Sequence, residues 1–324
     1  MNQRPLVRWL GLGLSIACIG YVGAALVEDF EALPSIDWLS PATVAALSAA
    51  VALYSLTLLL GGCAWSLLLC KRHNTDQLAT ILWISLTTQL AKYLPGNVGH
   101  IIGRFALAKM RGFDTIRLGI SVTLETMLVI PAALFFAVIA FLSDERLTGL
   151  LRSTRDTLLE EGLISAALGA VAITAFAFYM AMRISRRFSG FIKDAIVQAP
   201  SPATLTLCLM VYGANYLLVG LSTLIVAQGV LGKDGGDLLI LAGIFAIAWL
   251  PGFLTPGSPG GLGIREAVLL TGLTPLFGAS TALVLALLLR LVTTLGDVVG
   301  FVMGHAIYWK TRHQRFSPDA DVSP

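Results

Sequence analysis

Charge is scarce in this chain of 324 residues, and the scarcity excludes most soluble functions. Asp, Glu, Lys and Arg make up 13% of it, about half the share of an average soluble domain. Long polar stretches are missing as well. The longest connections between apolar runs, near 143–161 and 183–202, leave no room for a soluble domain. There is no nucleotide-binding cassette, no H-E-x-x-H and no Gly-x-Ser-x-Gly, which removes the usual carriers of ATP-driven pumping, zinc-peptidase and serine-hydrolase chemistry. Cys18, Cys63, Cys70 and Cys208 lie in apolar runs without paired spacing, so they read as small buried hydrophobes. His100 and His305 have no evident metal-binding companions. No metal and no cofactor is expected.

Apolar residues fill the space, at 56% of the chain and a mean hydropathy of +0.81. A helix needs about 20 apolar residues to cross the hydrocarbon core. Stretches 9–27, 42–70, 118–142, 162–182, 203–231, 238–254 with its continuation, and 279–304 qualify. The fold class is therefore all-α, a polytopic integral membrane protein with one membrane domain over 1–310 and a cytoplasmic tail, 311–324, expected to be disordered. Arg4 and Arg8 precede the first apolar run, but no small-x-small cleavage site follows it, so an uncleaved first span is expected.

The net charge of +3 says little, whereas its distribution sets a topology. Lys71, Arg72, Lys109, Arg111, Arg117, Arg183, Arg186, Arg187, Lys193, Lys310, Arg312 and Arg315 gather, with the N-terminal arginines, in alternate connections. The opposite connections hold only Arg146, Arg152, Arg155 and Lys233, among acids such as Glu28, Asp29, Glu160 and Glu161. Positive residues mark the cytoplasmic side, so both termini are expected there. The basic tail reads as a topology anchor, and no nucleic-acid partner is expected.

A decapeptide outline occurs twice. Pro95-Gly96-Asn97-Val98-Gly99-His100-Ile101-Ile102-Gly103-Arg104 and Pro256-Gly257-Ser258-Pro259-Gly260-Gly261-Leu262-Gly263-Ile264-Arg265 share P-G-x-x-G-x-x-x-x-R at an offset of 161 residues. Each copy breaks strongly apolar sequence at a corresponding point of its half. The charge map gives each half the order span, span, hairpin, span, with the second half inverted. The expectation is about six full spans plus two re-entrant or broken helix pairs, in an inverted repeat of halves about 1–142 and 160–310. Paired interruptions of this kind point to a transporter's binding site. Leu147, Leu150, Leu151, Leu158 and Leu159 suggest a short helix at the outer interface. Gly296, Gly300 and Gly304, every four residues, suggest close approach of a neighbouring helix.

Few ionisable residues remain at membrane depth: Lys92, Arg104, Glu125, Arg265, Glu266, Arg290 and Asp297, with His100 and His305. A charge at mid-bilayer costs at least about 2.5–3.5 kcal/mol, so these residues need partners or a polar cavity. Glu125 is the expected carboxylate partner of one arginine. Arg290 and Asp297, seven residues apart on one helix face, can also serve structure alone. Glycine-rich turns opening a helix present free N–H groups at the positive end of its dipole. Arginine in the first turn adds a fork matched to phosphate or carboxylate. The expected ligand site is therefore Pro95, Gly96, Asn97, Gly99, His100, Arg104, Glu125, Pro256, Gly257, Ser258, Gly260, Gly261, Gly263, Arg265, Glu266, Arg290 and Asp297. An anionic lipid headgroup with its tails in the bilayer is the economical ligand, and a small soluble anion fits the same residues.

Tyr93–Arg104, together with Pro259-Gly260-Gly261-Leu262-Gly263-Ile264-Arg265-Glu266-Ala267, resembles the transmembrane region of lysylphosphatidylglycerol synthases and their stand-alone flippase-like relatives. The likeness covers roughly 5–310. It implies translocation of aminoacylated phosphatidylglycerol in the full-length synthases, where a separate soluble domain performs lysyl transfer. The chain stops at Pro324 without such a domain, so lysyl transfer is not expected of it; with no metal pair at helical spacing and no hydrolase motif, it is not expected to be an enzyme. Its relatives imply other lipids too, polyprenyl phosphates among them. The expectation is a multi-pass protein of a prokaryotic cytoplasmic membrane that translocates an anionic or phosphate-bearing lipid. The alternatives are a non-transporting accessory subunit of a lipid-modifying or lipid-linked glycan synthase, and a membrane-embedded lipid enzyme. A partner synthase or transferase and a homo-oligomer stay open.

Overall fold

The computed structural model describes residues 4–28, 32–70, 75–94, 98–149, 200–255 and 257–311. Helices account for nearly all of them, and no strand occurs among the described residues. In chain order they are α1 (Arg4–Glu28), α2 (Pro41–Leu69), α3 (Thr75–Thr88), α4 (Gly99–Met110), α5 (Thr115–Ser143), α6 (Pro202–Leu231), α7 (Leu238–Leu254), α8 (Ile264–Phe277) and α9 (Ala279–Thr311). The expected span at 162–182 and the tail from 312 lie outside the described residues. So do Leu150, Leu151, Leu158 and Leu159 of the expected interfacial helix. Leu147 is described, and it departs from that expectation. It is 1% exposed and belongs to the core, three residues beyond the extended Asp144 cap that ends α5.

The helix starts follow from local chemistry. Ser40 accepts from the Thr43 amide at 3.1 Å and Pro41 opens α2; Ser201 accepts from the Thr204 amide at 3.2 Å and Pro202 opens α6. A serine oxygen satisfies an orphan donor of the first turn, and proline there loses no hydrogen bond. Asp114 caps α5 in the same way, through the Arg117 amide at 2.9 Å. α2, α5, α6 and α7 have no pronounced polar face, as expected of helices surrounded by protein and lipid. Four helices are long and apolar enough to cross a membrane: Pro41–Leu69, Thr115–Ser143, Pro202–Leu231 and Ala279–Lys310. Two further stretches, Leu12–Glu28 and Leu238–Leu254, are apolar but shorter. The protein is a polytopic all-helical membrane protein with four such spans among its described residues; of the two further spans expected, 9–27 falls in α1 and 162–182 lies outside the described residues.

Packing is organised by pairs. α2 lies along α6, α5 along α7, and α3 along α9; α4 folds back on α3, and α8 on α7. Small residues permit the closest of these approaches. A Cβ on Gly300 would stand 2.8 Å from Leu58, and one on Gly304 would stand 2.9 Å from Thr87. One on Gly296 would collide with the Tyr54 ring. The glycine period of α9 thus serves contact with α2 and α3, as its spacing predicts.

Both interruptions are present. Thr87 and Thr88 donate their hydroxyls to the carbonyls of Trp83 and Ile84, each at 2.7 Å, where α3 tightens into a 3₁₀ turn, Gln89–Tyr93. Leu94 is extended, as the residue before a proline prefers. α4 then begins at Gly99, and Arg111 just beyond its end lies 4.6 Å above Trp83 of α3 and 5.3 Å from Tyr308 of α9. In the second interruption α7 gives way to a 3₁₀ turn, Pro259–Gly261, before α8. The two turns touch one another. Gly260 has φ of +57°, and a Cβ there would stand 3.0 Å from the Tyr93 ring, so both the backbone and the contact require glycine. Gly296→Val is expected to lower stability by about 1–3 kcal/mol through overpacking against Tyr54, read as a fall in Tm of the detergent-solubilised protein.

Candidate functional site

Charged side chains surround the meeting point of the two turns, and all but one are paired. Asp297 of α9 is fully buried and receives Lys92 at 2.7 Å, the Tyr93 hydroxyl at 2.6 Å and the Tyr54 hydroxyl at 3.2 Å. Arg104 of α4 meets both oxygens of Glu125 of α5 at 2.9 Å, while its guanidinium lies 5.3 Å from the Trp65 ring. Arg290 of α9 contacts Glu266 of α8 at 3.1 Å and the Gly260 carbonyl at 3.0 Å. Burying a charge alone costs several kcal/mol, and these partners offset that cost.

Arg265 of α8 is the exception. Its guanidinium stacks 4.3 Å from the Phe245 ring, and it has no hydrogen bond or carboxylate partner among the described residues. Four cations and three carboxylates therefore leave one positive charge in this region.

Arg265 faces a cavity of about 240 Å³ that also borders Lys92, Arg104, Glu125, Gly260 and Gly261. Its volume lies just below the range of about 300–1,000 Å³ typical of clefts for drug-sized ligands, so it suits a headgroup better than a whole lipid. One wall is a stripe of α6: Tyr212, Asn215, Tyr216 and Val219 recur at the helical period. Phe245, Trp249 and Phe253 of α7 supply an aromatic wall, with Trp249 and Phe253 stacked at 4.7 Å. Four polar atoms of the lining residues are buried and have no hydrogen-bond partner among the described residues. They are the Tyr212 hydroxyl, Asn215 Oδ1, His100 Nδ1 and Arg104 Nε. An orphaned polar atom costs about 1–3 kcal/mol.

The structure distributes the sequence candidates unevenly. His100, Arg104, Glu125, Gly260, Gly261 and Arg265 line the cavity. Pro95, Gly96, Asn97 and Pro256 lie outside the described residues. Glu266, Arg290 and Asp297 stand behind the lining as counter-ions, and Arg290 does not pair with Asp297 on its own helix. Ser258 is fully buried and donates its hydroxyl to the Leu262 carbonyl at 3.1 Å. Gly257 bends the second break at φ of 102°, and Gly99 abuts the Ala91 carbonyl. Gly263 packs against the Ser15 carbonyl of α1. The Gly263 amide, expected to be free for an anion, instead donates to Glu266 at 2.7 Å. A carboxylate three residues into the helix reaches back to the cap position, so α8 satisfies its own first donor.

A family model of the lysylphosphatidylglycerol synthase transmembrane region matches residues 8–300. The chain belongs to that family. A search of curated proteins finds no match. This member of the lysylphosphatidylglycerol synthase transmembrane family thus carries its aligned region through both interruptions and through Asp297.

The reading from sequence missed Tyr54, Tyr93, Tyr212 and Asn215 as site residues, and set Lys92 aside. The stripe at 212, 215, 216 and 219 was the available signal for two of them, since tyrosine and asparagine interrupt an otherwise apolar helix. Among the described residues Asp297 is the carboxylate that balances Lys92, so Asp297→Asn is expected to cost about 3–5 kcal/mol. Equilibrium unfolding should find the double variant Lys92→Met with Asp297→Leu less damaged than Asp297→Asn, because no charge is then stranded.

Proposed function

We propose that the cavity binds the anionic, phosphate-bearing headgroup of a membrane lipid and that the protein moves it across a prokaryotic cytoplasmic membrane. The unpaired Arg265 guanidinium carries this reading. One negative charge would compensate it, and its planar fork suits phosphate oxygens. The acyl chains stay in the bilayer, which matches a cavity of headgroup size. Family membership supports a role with lipids. No chemical step is assigned to the site.

An inverted repeat would give the cavity access to each face in turn. The packing supports that arrangement, because exchanging the halves turns the α3–α9 contact into the α7–α5 contact and leaves α2–α6 unchanged. Ser-Pro-Ala-Thr opens both α2 at 40–43 and α6 at 201–204, with the offset of the two P-G motifs. On this reading the two interruptions are re-entrant from opposite faces, and both termini are cytoplasmic by the positive-inside distribution.

Proteoliposomes carrying a fluorescent anionic phospholipid test the proposal. The wild type should move the lipid between leaflets, Arg265→Gln at least about tenfold more slowly and Arg265→Lys in between, consistent with 1.4 kcal/mol per factor of ten. Inorganic phosphate should not compete. A folded wild type that moves no lipid yet co-purifies with a lipid synthase would overturn transport in favour of an accessory role.

A further inference from the structure

The three carboxylates of this region are not equally committed. Asp297 is fully buried and holds three donors, and Glu266 holds the Gly263 amide and Arg290. Neither borders the cavity. Glu125 does, with 18% of its side chain exposed, and its partner among the described residues is Arg104 alone. Both bonds of that pair come from Nη1 of the arginine. A guanidinium that grips a carboxylate with its full fork uses two nitrogens, one for each oxygen. Here one nitrogen serves both oxygens, and Nε has no hydrogen-bond partner among the described residues. The fork of Arg104 is therefore only partly engaged, beside the same space that Arg265 borders. α4 and α5 touch little elsewhere, so the pair is also the polar tie between the return leg of the first interruption and the helix after it.

We infer that the lipid anion binds together with one proton, taken from water by the Glu125 carboxylate, and that this proton frees Arg104 to join Arg265 on the phosphate. This rests on the headgroup reading above and adds its coupling. Tyr212 is within electrostatic reach of Arg104 and Glu125, and Tyr216 is within reach of Arg265, one turn or about 6 Å along α6. An anion held by Arg265 in this cavity therefore stands near Glu125, and the two like charges disfavour one another. A proton on a Glu125 oxygen removes that repulsion, and no bond of the lipid forms or breaks. By reciprocity, anion and proton strengthen each other's binding by the same factor. A singly charged anion and a proton enter as a neutral pair, so their passage does no work against the membrane potential. Opening the pair also loosens α4 from α5, so the proton arrives at the step that lets the first interruption move. Few other groups around Glu125 titrate. α4 brings Arg104 and His100, α6 brings Cys208 and Tyr212, and α7 has no titratable residue over Leu238–Leu254. α2 carries Cys63 and Tyr54, the latter bonded to Asp297; across the cavity stand Arg265 and Lys92, which Asp297 holds. Of these, His100 is the one whose ordinary titration lies near neutral pH, which makes it the control.

The full-length protein in nanodiscs is titrated with dioctanoyl phosphatidylglycerol, whose phosphodiester keeps its single charge from mildly acidic to neutral pH. Calorimetry in two buffers of different ionisation enthalpy should find proton uptake that approaches one per lipid bound. The sign follows from an empty site with Glu125 ionised and an occupied site with it protonated. Affinity should be greatest in acid and fall by up to about tenfold per pH unit between the proton affinities of the empty and occupied states, then level off. Glu125→Gln should bind without proton uptake, with a flat pH profile near the wild type's acid limit. His100→Gln should keep the slope. The proton count on the wild type decides the matter even where Glu125→Gln does not fold. Wild-type binding without proton uptake overturns the coupling alone, as does a slope that survives in Glu125→Gln or vanishes in His100→Gln. Absence of binding at every pH overturns the headgroup reading and the coupling with it.

Discussion

Asp297 is the constraint on which the rest of the site depends. A carboxylate with no exposure survives in an apolar protein only when its lone pairs are filled, and three donors from two segments fill them: Lys92, Tyr93 and Tyr54. Those donors come from α2 and from the first 3₁₀ turn, while the acceptor sits on the last helix. One buried charge therefore fixes the first interruption against α9 across 205 residues of sequence. Glycine at 296 lets Tyr54 come close enough to take part.

The second interruption is fixed by the same economy of charge. Glu266 holds the amide of Gly263 with one oxygen and Arg290 with the other, and Arg290 in turn holds the Gly260 carbonyl. Both turns are thus tied to α9 through its own ionised residues. With these demands met inside the fold, Arg265 is left as the cation without a carboxylate among the described residues, and it faces the open space between them. With that one cation uncompensated, the cavity is electrostatically sensitive to whatever enters it.

Much of this was readable from residue order. Long apolar runs gave α2, α5, α6 and α9 almost to their ends, since length and composition alone decide whether a helix suits a bilayer. The two P-G-x-x-G stretches marked the breaks, and Glu125 was legible as an arginine partner because charges at membrane depth are too costly to stand alone. Partner choice was not legible. Arg290 and Asp297 share a helix face, yet each reaches a different segment, because tertiary proximity and not helical spacing sets the pairing. Tyr212 and Asn215 went unread for a related reason: a hydroxyl and an amide carry no charge penalty to draw attention, and their isolation emerges only when neighbours are known. The Ser-Pro-Ala-Thr duplication was equally visible and equally passed over, because a capping tetrapeptide looks local until both copies start long partnered helices.

Gly260 has one more implication. Its bare backbone rests against the Tyr93 ring while its carbonyl is held by Arg290. With no side chain at Gly260 to act as a cushion, backbone meets ring directly, and the two loops share one contact surface with nothing between them.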